Sequence, residues 1–83
     1  MRVDNAETEL TMAVAAEVRA EMARQRVSQV ALAERLGWIQ QRLSRRMTGE
    51  VPFAVPELSA VADELGVPIT KFLPEHAQRL AAP

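Results

Sequence analysis

Apolar residues along this chain recur at helical spacing, and no stretch alternates as a half-buried strand would. Val14, Val18 and Met22 fall four apart with Glu17, Arg19, Glu21 and Arg24 between them, which predicts an amphipathic helix ending near Gln25. Thr8 and Thr11 both suit its N-cap, so the spacing leaves its start at either. Ser28 precedes QVALAERLG, where Leu32, Ala33 and Leu36 form one face and Gly37 supplies a left-handed stop. A helix of about two turns cannot persist alone and must pack on its neighbours.

Trp38 and Ile39 lead into QQRLSRRMTG, whose apolar pair, Leu43 and Met47, lies four apart and whose end is marked by Gly49. Gln40, Gln41, Arg42, Ser44, Arg45 and Arg46 cover the remaining arc of this third helix. EVPFAVP then breaks the pattern. Pro56 suits the first turn of a fourth helix, in which Leu58, Val61, Ala62 and Leu65 follow the i, i+3, i+4, i+7 rule before Gly66. VPITKFLP predicts a short fifth helix with Ile69, Phe72 and Leu73 inward and Pro74 as its stop. The whole reads as an all-α, compact five-helix domain over residues 11–74, with an N-terminal arm at 1–10 and a C-terminal tail at 75–83.

The 83 residues suffice for one core with little margin, so a second copy would add stability. There is no cysteine, which leaves no disulfide framework or thiolate metal site and points to a reducing compartment such as the cytoplasm. MAVAA is far short of the roughly 20 apolar residues a membrane span needs. The first eleven residues, with Asp4, Glu7 and Glu9, lack a signal peptide's apolar stretch.

Net charge is −1, but its distribution changes the picture. Residues 19–49 hold seven arginines against Glu21 and Glu34, a local +5, while elsewhere three cations stand against nine acids, a balance of −6. Such a field draws a polyanion to one face and repels it from the others.

Two short helices across a glycine-containing turn, the second with a narrow apolar stripe and a broad polar face, form a helix-turn-helix pattern. Ala33 suits a close approach of the two helices. The third helix is then a probe for the major groove, since glutamine matches the donor and acceptor of adenine and arginine the acceptor pair of guanine. Gln40, Gln41 and Arg42, early in the helix, are the first candidates for base contact, with Arg45 a turn later.

SQVALAERLGWIQQRLSRRMTGE resembles the lambda repressor and Cro type of helix-turn-helix, also called the xenobiotic-response-element family. Ser28, Gln29, Leu32, Ala33 and Gly37 fill that family's pattern, and VPELSAVADELGVPITKFL is similar to its fourth and fifth helices, so the likeness spans roughly residues 14–73. The resemblance implies a lambda-repressor-like domain in which Gln29 bonds a DNA phosphate and braces Gln40, and Ser28 makes a second phosphate contact. It places Gln40, Gln41 and Arg45 at base-reading positions, Arg42 at a variable place facing the groove, and the loop from Thr48 through Val51 along the sugar-phosphate chain. Ser44 joins the phosphate set. The chain departs from the family at two places. Ile39 stands where a small polar cap is usual, which leaves the helix start open by one residue. Arg46 stands where an apolar residue is common, so Met47 takes the core role and Arg46 turns to phosphate.

Other features read as structural. Trp38, beside Leu36 in the turn, belongs to the core rather than to a base stack. Glu17 and Glu21 lie on a solvated face with no nucleophile nearby, and Asp63 and Glu64 keep the fourth helix soluble. His76, the single histidine, makes no metal site. No nucleotide loop or catalytic triad occurs, and no enzyme or cofactor is expected. The expected function is a sequence-specific, double-stranded DNA-binding regulator, a small repressor of phage, prophage or bacterial origin. It would act as a homodimer through Ile69, Phe72 or the tail, unless those side chains complete the monomer's own core. The alternative is an antitoxin or adaptor whose main task is binding a protein partner.

Overall fold

The computed structural model describes residues 2–74, with side chains from Glu7 onward. The order is α1 (Arg2–Gln25), α2 (Gln29–Leu36), α3 (Gln40–Met47), α4 (Val55–Leu65) and one 3₁₀ turn (Ile69–Phe72). The described residues are thus all-helical, with four α-helices where five were expected. The fifth is reduced to a single turn because Pro74 has no N–H and disfavours helical backbone at Leu73, which sits extended at φ −95° and ψ 135°. His76 and the 75–83 tail lie outside the described residues.

The first helix begins at Arg2, so Thr8 and Thr11 lie inside it and residues 2–10 continue it rather than forming a separate arm. No glycine or proline interrupts residues 2–25, and Asp4 and Glu7 near its start suit the positive end of a helix dipole.

Three helices end alike. The N–H of Gly37 bonds the Glu34 carbonyl at 3.2 Å and that of Trp38 the Ala33 carbonyl at 3.0 Å, the paired closure of a left-handed cap. Gly66 closes α4 in the same way, with Val67 N–H on the Ala62 carbonyl at 3.0 Å. At the end of α1 the left-handed residue is Arg26, with φ of 58°, and Val27 N–H reaches the Met22 carbonyl at 2.9 Å.

One core runs through all elements: Val14, Val18 and Met22 from α1, Leu32 and Ala33 from α2, Leu43 and Met47 from α3, and Leu58, Val61, Ala62 and Leu65 from α4. Phe72 completes it at 0 % exposure, and Ile69 packs half-buried against the same cluster. The side chain of Phe72 is therefore enclosed by its own chain and is not a surface for a second copy.

Glu21 does not share the solvated face expected for it. Glu17 is exposed as expected, but Glu21 is buried at 6 %, its carboxylate covered by Arg24 and Gln25. Gln25 in turn reaches the Leu65 carbonyl at 2.8 Å, and Arg19 donates to the Met47 carbonyl, so α1 grips the last turns of both α4 and α3. These braces fix the direction in which α3 projects.

Candidate nucleic-acid interface

The third helix buries only Leu43 and Met47, against α1 and α2, which forces its other side chains outward or along its flanks. Its start does not slip: Ile39 is the N-cap, extended at φ −67° and ψ 146°, and Gln40 is the first helical residue. Ile39 has no side-chain acceptor for the N–H groups of the first turn, and it stands 71 % exposed. Gln40, Gln41, Arg42 and Arg45 are all exposed, and Ser44 is half-buried between them and the core.

Arg42 is held. Its guanidinium lies over the Trp38 ring, 4.0 Å from the centroid, while Nη2 donates to Glu57 Oε2 at 3.0 Å. Trp38 is half-buried and packs on the core with its inner side, so it is both core and platform. Arg46 meets the same carboxylate from the next turn, with Nε on Glu57 Oε1 at 2.9 Å and Nη1 on the Arg42 carbonyl at 3.1 Å. The Arg46 side chain is only 18 % exposed, against 42 % for Arg42. Its expected turn toward phosphate is replaced by an intramolecular ion pair, because Glu57 lies within reach at the first turn of α4. The Arg45 guanidinium has no partner among the described residues and extends freely from the arc.

Glu57 itself is fixed three ways. Its Oε1 also accepts from Ala54 N–H at 2.9 Å, the half of a capping box that Glu at this helical position supplies. Burial pushes its carboxyl up, and the bonds from Arg46, the Ala54 N–H and Arg42 more than reverse that, holding it at about 2. One ionised carboxylate thus faces two guanidiniums in a partly desolvated niche.

The expected phosphate contacts are placed unevenly. Ser28 is exposed and caps α2, its Oγ accepting from Ala31 N–H at 3.0 Å. Gln29 is half-buried in the first turn, and among the described residues it makes no hydrogen bond to Gln40, so the expected brace is absent. Thr48 is exposed, but its hydroxyl already donates to the Arg45 carbonyl at 3.0 Å. The loop N–H groups are engaged as well: Thr48 on Ser44, Gly49 on Arg46 and Val51 on Arg45, with Glu50 on the Thr48 hydroxyl at a long 3.4 Å. The loop is self-satisfied, and only the Glu50 N–H is loosely held.

Sequence reasoning missed Glu57. Two signals for it were present: a glutamate three residues after Ala54 just before an apolar run, and Arg42 and Arg46 at i, i+4 on one helical face. Among the described residues no three histidine, cysteine, aspartate or glutamate side chains gather as a metal site, and no helix is long and apolar enough to cross a membrane.

The fold has a counterpart among solved structures. The crystal structure of the DNA-binding domain of BldD is similar, with a TM-score of 0.73 at 26 % identity over 81 % of this chain and 97 % of that one. No curated protein sequence matches. A family model described as a helix-turn-helix domain matches residues 13–72, which takes in α2, α3, α4, the 3₁₀ turn and most of α1. The likeness read from Ser28 to Glu50 holds at that level, and the chain belongs to the helix-turn-helix domain family.

Proposed function

We propose that this protein is a sequence-specific, double-stranded DNA-binding transcriptional regulator that reads the major groove with α3 and acts as a repressor by occupying an operator. One observation carries the reading: α3 keeps only Leu43 and Met47 inside and presents Gln40, Gln41, Arg42 and Arg45 together on an exposed arc. Amide and guanidinium groups in the first turns of such a helix match the acceptor and donor patterns of purines at base edges. The likeness to BldD, whose matching portion is a DNA-binding domain, supports the same assignment. Ser28 and Gln29, at the start of α2, are the phosphate contacts of this reading, and contacts of that kind set register while the arc sorts sequence.

One helix-turn-helix unit covers a single half-site, so two copies would bind half-sites about 34 Å apart. Ile69 remains a candidate for that contact and Phe72 does not.

Selection of bound sequences from a random duplex pool tests the proposal. A recovered palindrome with half-sites one helical turn apart is the expected result, and binding should weaken steeply with salt as phosphate counterions are released. Recovery of one stoichiometric protein partner, with no shift of any duplex, would replace this reading by that of an antitoxin or adaptor.

A further inference from the structure

Three arginines project from α3, yet among the described residues only Arg45 is free of a partner. Arg42 and Arg46 converge on Glu57 from successive turns of α3, at 3.0 Å and 2.9 Å, and Glu57 belongs to a different helix. Two guanidiniums in the niche share one carboxylate. Trp38 closes the arrangement, with the Arg42 guanidinium carbon over its ring, 4.0 Å from the centroid.

The donor chemistry decides what this leaves for a ligand. Nη2 of an arginine carries two hydrogens, one on each two-donor edge of the guanidinium. Glu57 takes one of them, so one complete edge of Arg42 stays open whichever hydrogen is used. Nε and Nη1 of Arg42 have no partner among the described residues. The open edge is a two-pronged donor on a guanidinium seated over an indole and pinned by a carboxylate, the form that matches the N7 and O6 acceptors of guanine. Arg46, by contrast, commits Nε and Nη1 within the protein and is largely covered.

An unrestrained arginine on such a surface would reach any phosphate and strengthen binding without regard to sequence. We propose that Glu57 is a specificity-determining residue of this surface. It holds Arg42 on Trp38 as an oriented guanine reader and draws Arg46 off the arc, exchanging two mobile phosphate-seeking cations for one fixed base contact. This inference rests on the DNA-binding reading above and adds to it a residue outside the helix-turn-helix itself.

The test compares the full chain with Glu57→Gln, Glu57→Asp, Arg42→Ala and the Glu57→Gln/Arg42→Ala double variant. Each is measured on a duplex selected by the unaltered protein and on a scrambled duplex, across a salt series. Gln keeps an oxygen for the Ala54 N–H and so preserves the helix cap, while removing the charge. Glu57→Gln should lower the selected-to-scrambled affinity ratio by about tenfold and steepen the salt dependence by about one ion, with scrambled DNA bound more tightly. Glu57→Asp keeps the charge but loses the reach to both arginines, and should lower the ratio and steepen the salt dependence in the same direction as Glu57→Gln. In the Arg42→Ala background, Glu57→Gln should cause no further loss of preference at the guanine Arg42 reads. If the unaltered protein prefers its selected duplex and both Glu57 variants keep the full ratio, the role of Glu57 is overturned while DNA recognition stands. If the unaltered protein binds no duplex, both fall together.

Discussion

Gln25 Nε2 donates to the Leu65 carbonyl and to Glu21 Oε2, each at 2.8 Å, and so ties the last turn of α1 to the last turn of α4. The Leu65 carbonyl is one of the terminal acceptors that a helix cannot satisfy internally. Gln25→Ala removes both bonds and leaves Glu21 with Arg24 alone. A loss of about 1 to 2 kcal/mol is expected, read as a lower urea midpoint at unchanged slope. An unmoved midpoint would show that solvent serves the carbonyl equally well.

Acid should unfold the protein through two glutamates of the same sign. Burial raises Glu57, and the bonds from Arg46, Ala54 N–H and Arg42 bring it from 4.5 down to about 2. For Glu21, the Gln25 amide and then Arg24 hold the carboxyl below its ordinary 4.5 against the opposing effect of burial. A folded value below the unfolded one means that the stabilisation is complete above the ordinary value and is lost as protons bind the folded form. Thermal midpoints should therefore hold down to about pH 4.5 and fall toward pH 2, the range set by Glu57. Glu57→Gln should flatten that limb, and an unchanged profile in the variant would deny Glu57 its part.

The left-handed caps differ in what they cost. Arg26 adopts φ of 58° with a Cβ that this conformation crowds, and Arg26→Gly should raise stability by up to about 1 kcal/mol. Gly37 has φ of 73° and open space around it, so Gly37→Ala meets no neighbour and incurs only backbone strain, a loss of about 1 to 2 kcal/mol. Chemical denaturation of the two variants should shift in opposite directions.

Much of this arrangement was legible because it is local. Ser28 and Gly37 bound α2 by their own chemistry, and the Leu43 and Met47 spacing alone fixes which side of α3 faces solvent. Two features were hidden for physical reasons. The first helix ends at Gln25 as its spacing predicts, but its closure by Arg26 in a glycine-like conformation is something no residue preference announces. The pairing of Arg46 with Glu57 depends on how α3 and α4 lie against each other, a relation that neither helix's periodicity contains. The fifth helix failed for a simpler reason, since the short span between Pro68 and Pro74 leaves room for one turn only.

Contacts to bases and to phosphates should separate in mutant binding. Gln41 is exposed at the second position of α3, and Gln41→Ala should weaken the selected duplex by roughly 1 to 3 kcal/mol and relax preference at one base pair. Gln29 lies half-buried at the start of α2, and Gln29→Ala should weaken selected and scrambled duplexes alike. Equal selectivity loss in the two variants would contradict the division between them.

Ile39 sets stability against recognition. As the N-cap of α3 it offers no acceptor to the first-turn N–H groups, and its side chain is 71 % exposed at the leading end of the arc. Serine at this position supplies the missing oxygen, so Ile39→Ser should raise stability by about 1 kcal/mol, seen as a higher denaturation midpoint. The same replacement removes the one apolar group at the tip of the reading helix, and an apolar side chain there is suited to the thymine methyl in the major groove. The unaltered protein should then bind a selected duplex less tightly when uracil replaces thymine, while Ile39→Ser should bind both forms equally. Should the serine variant gain stability and still distinguish thymine from uracil, the methyl is read by another side chain; should it gain no stability, water already caps the helix.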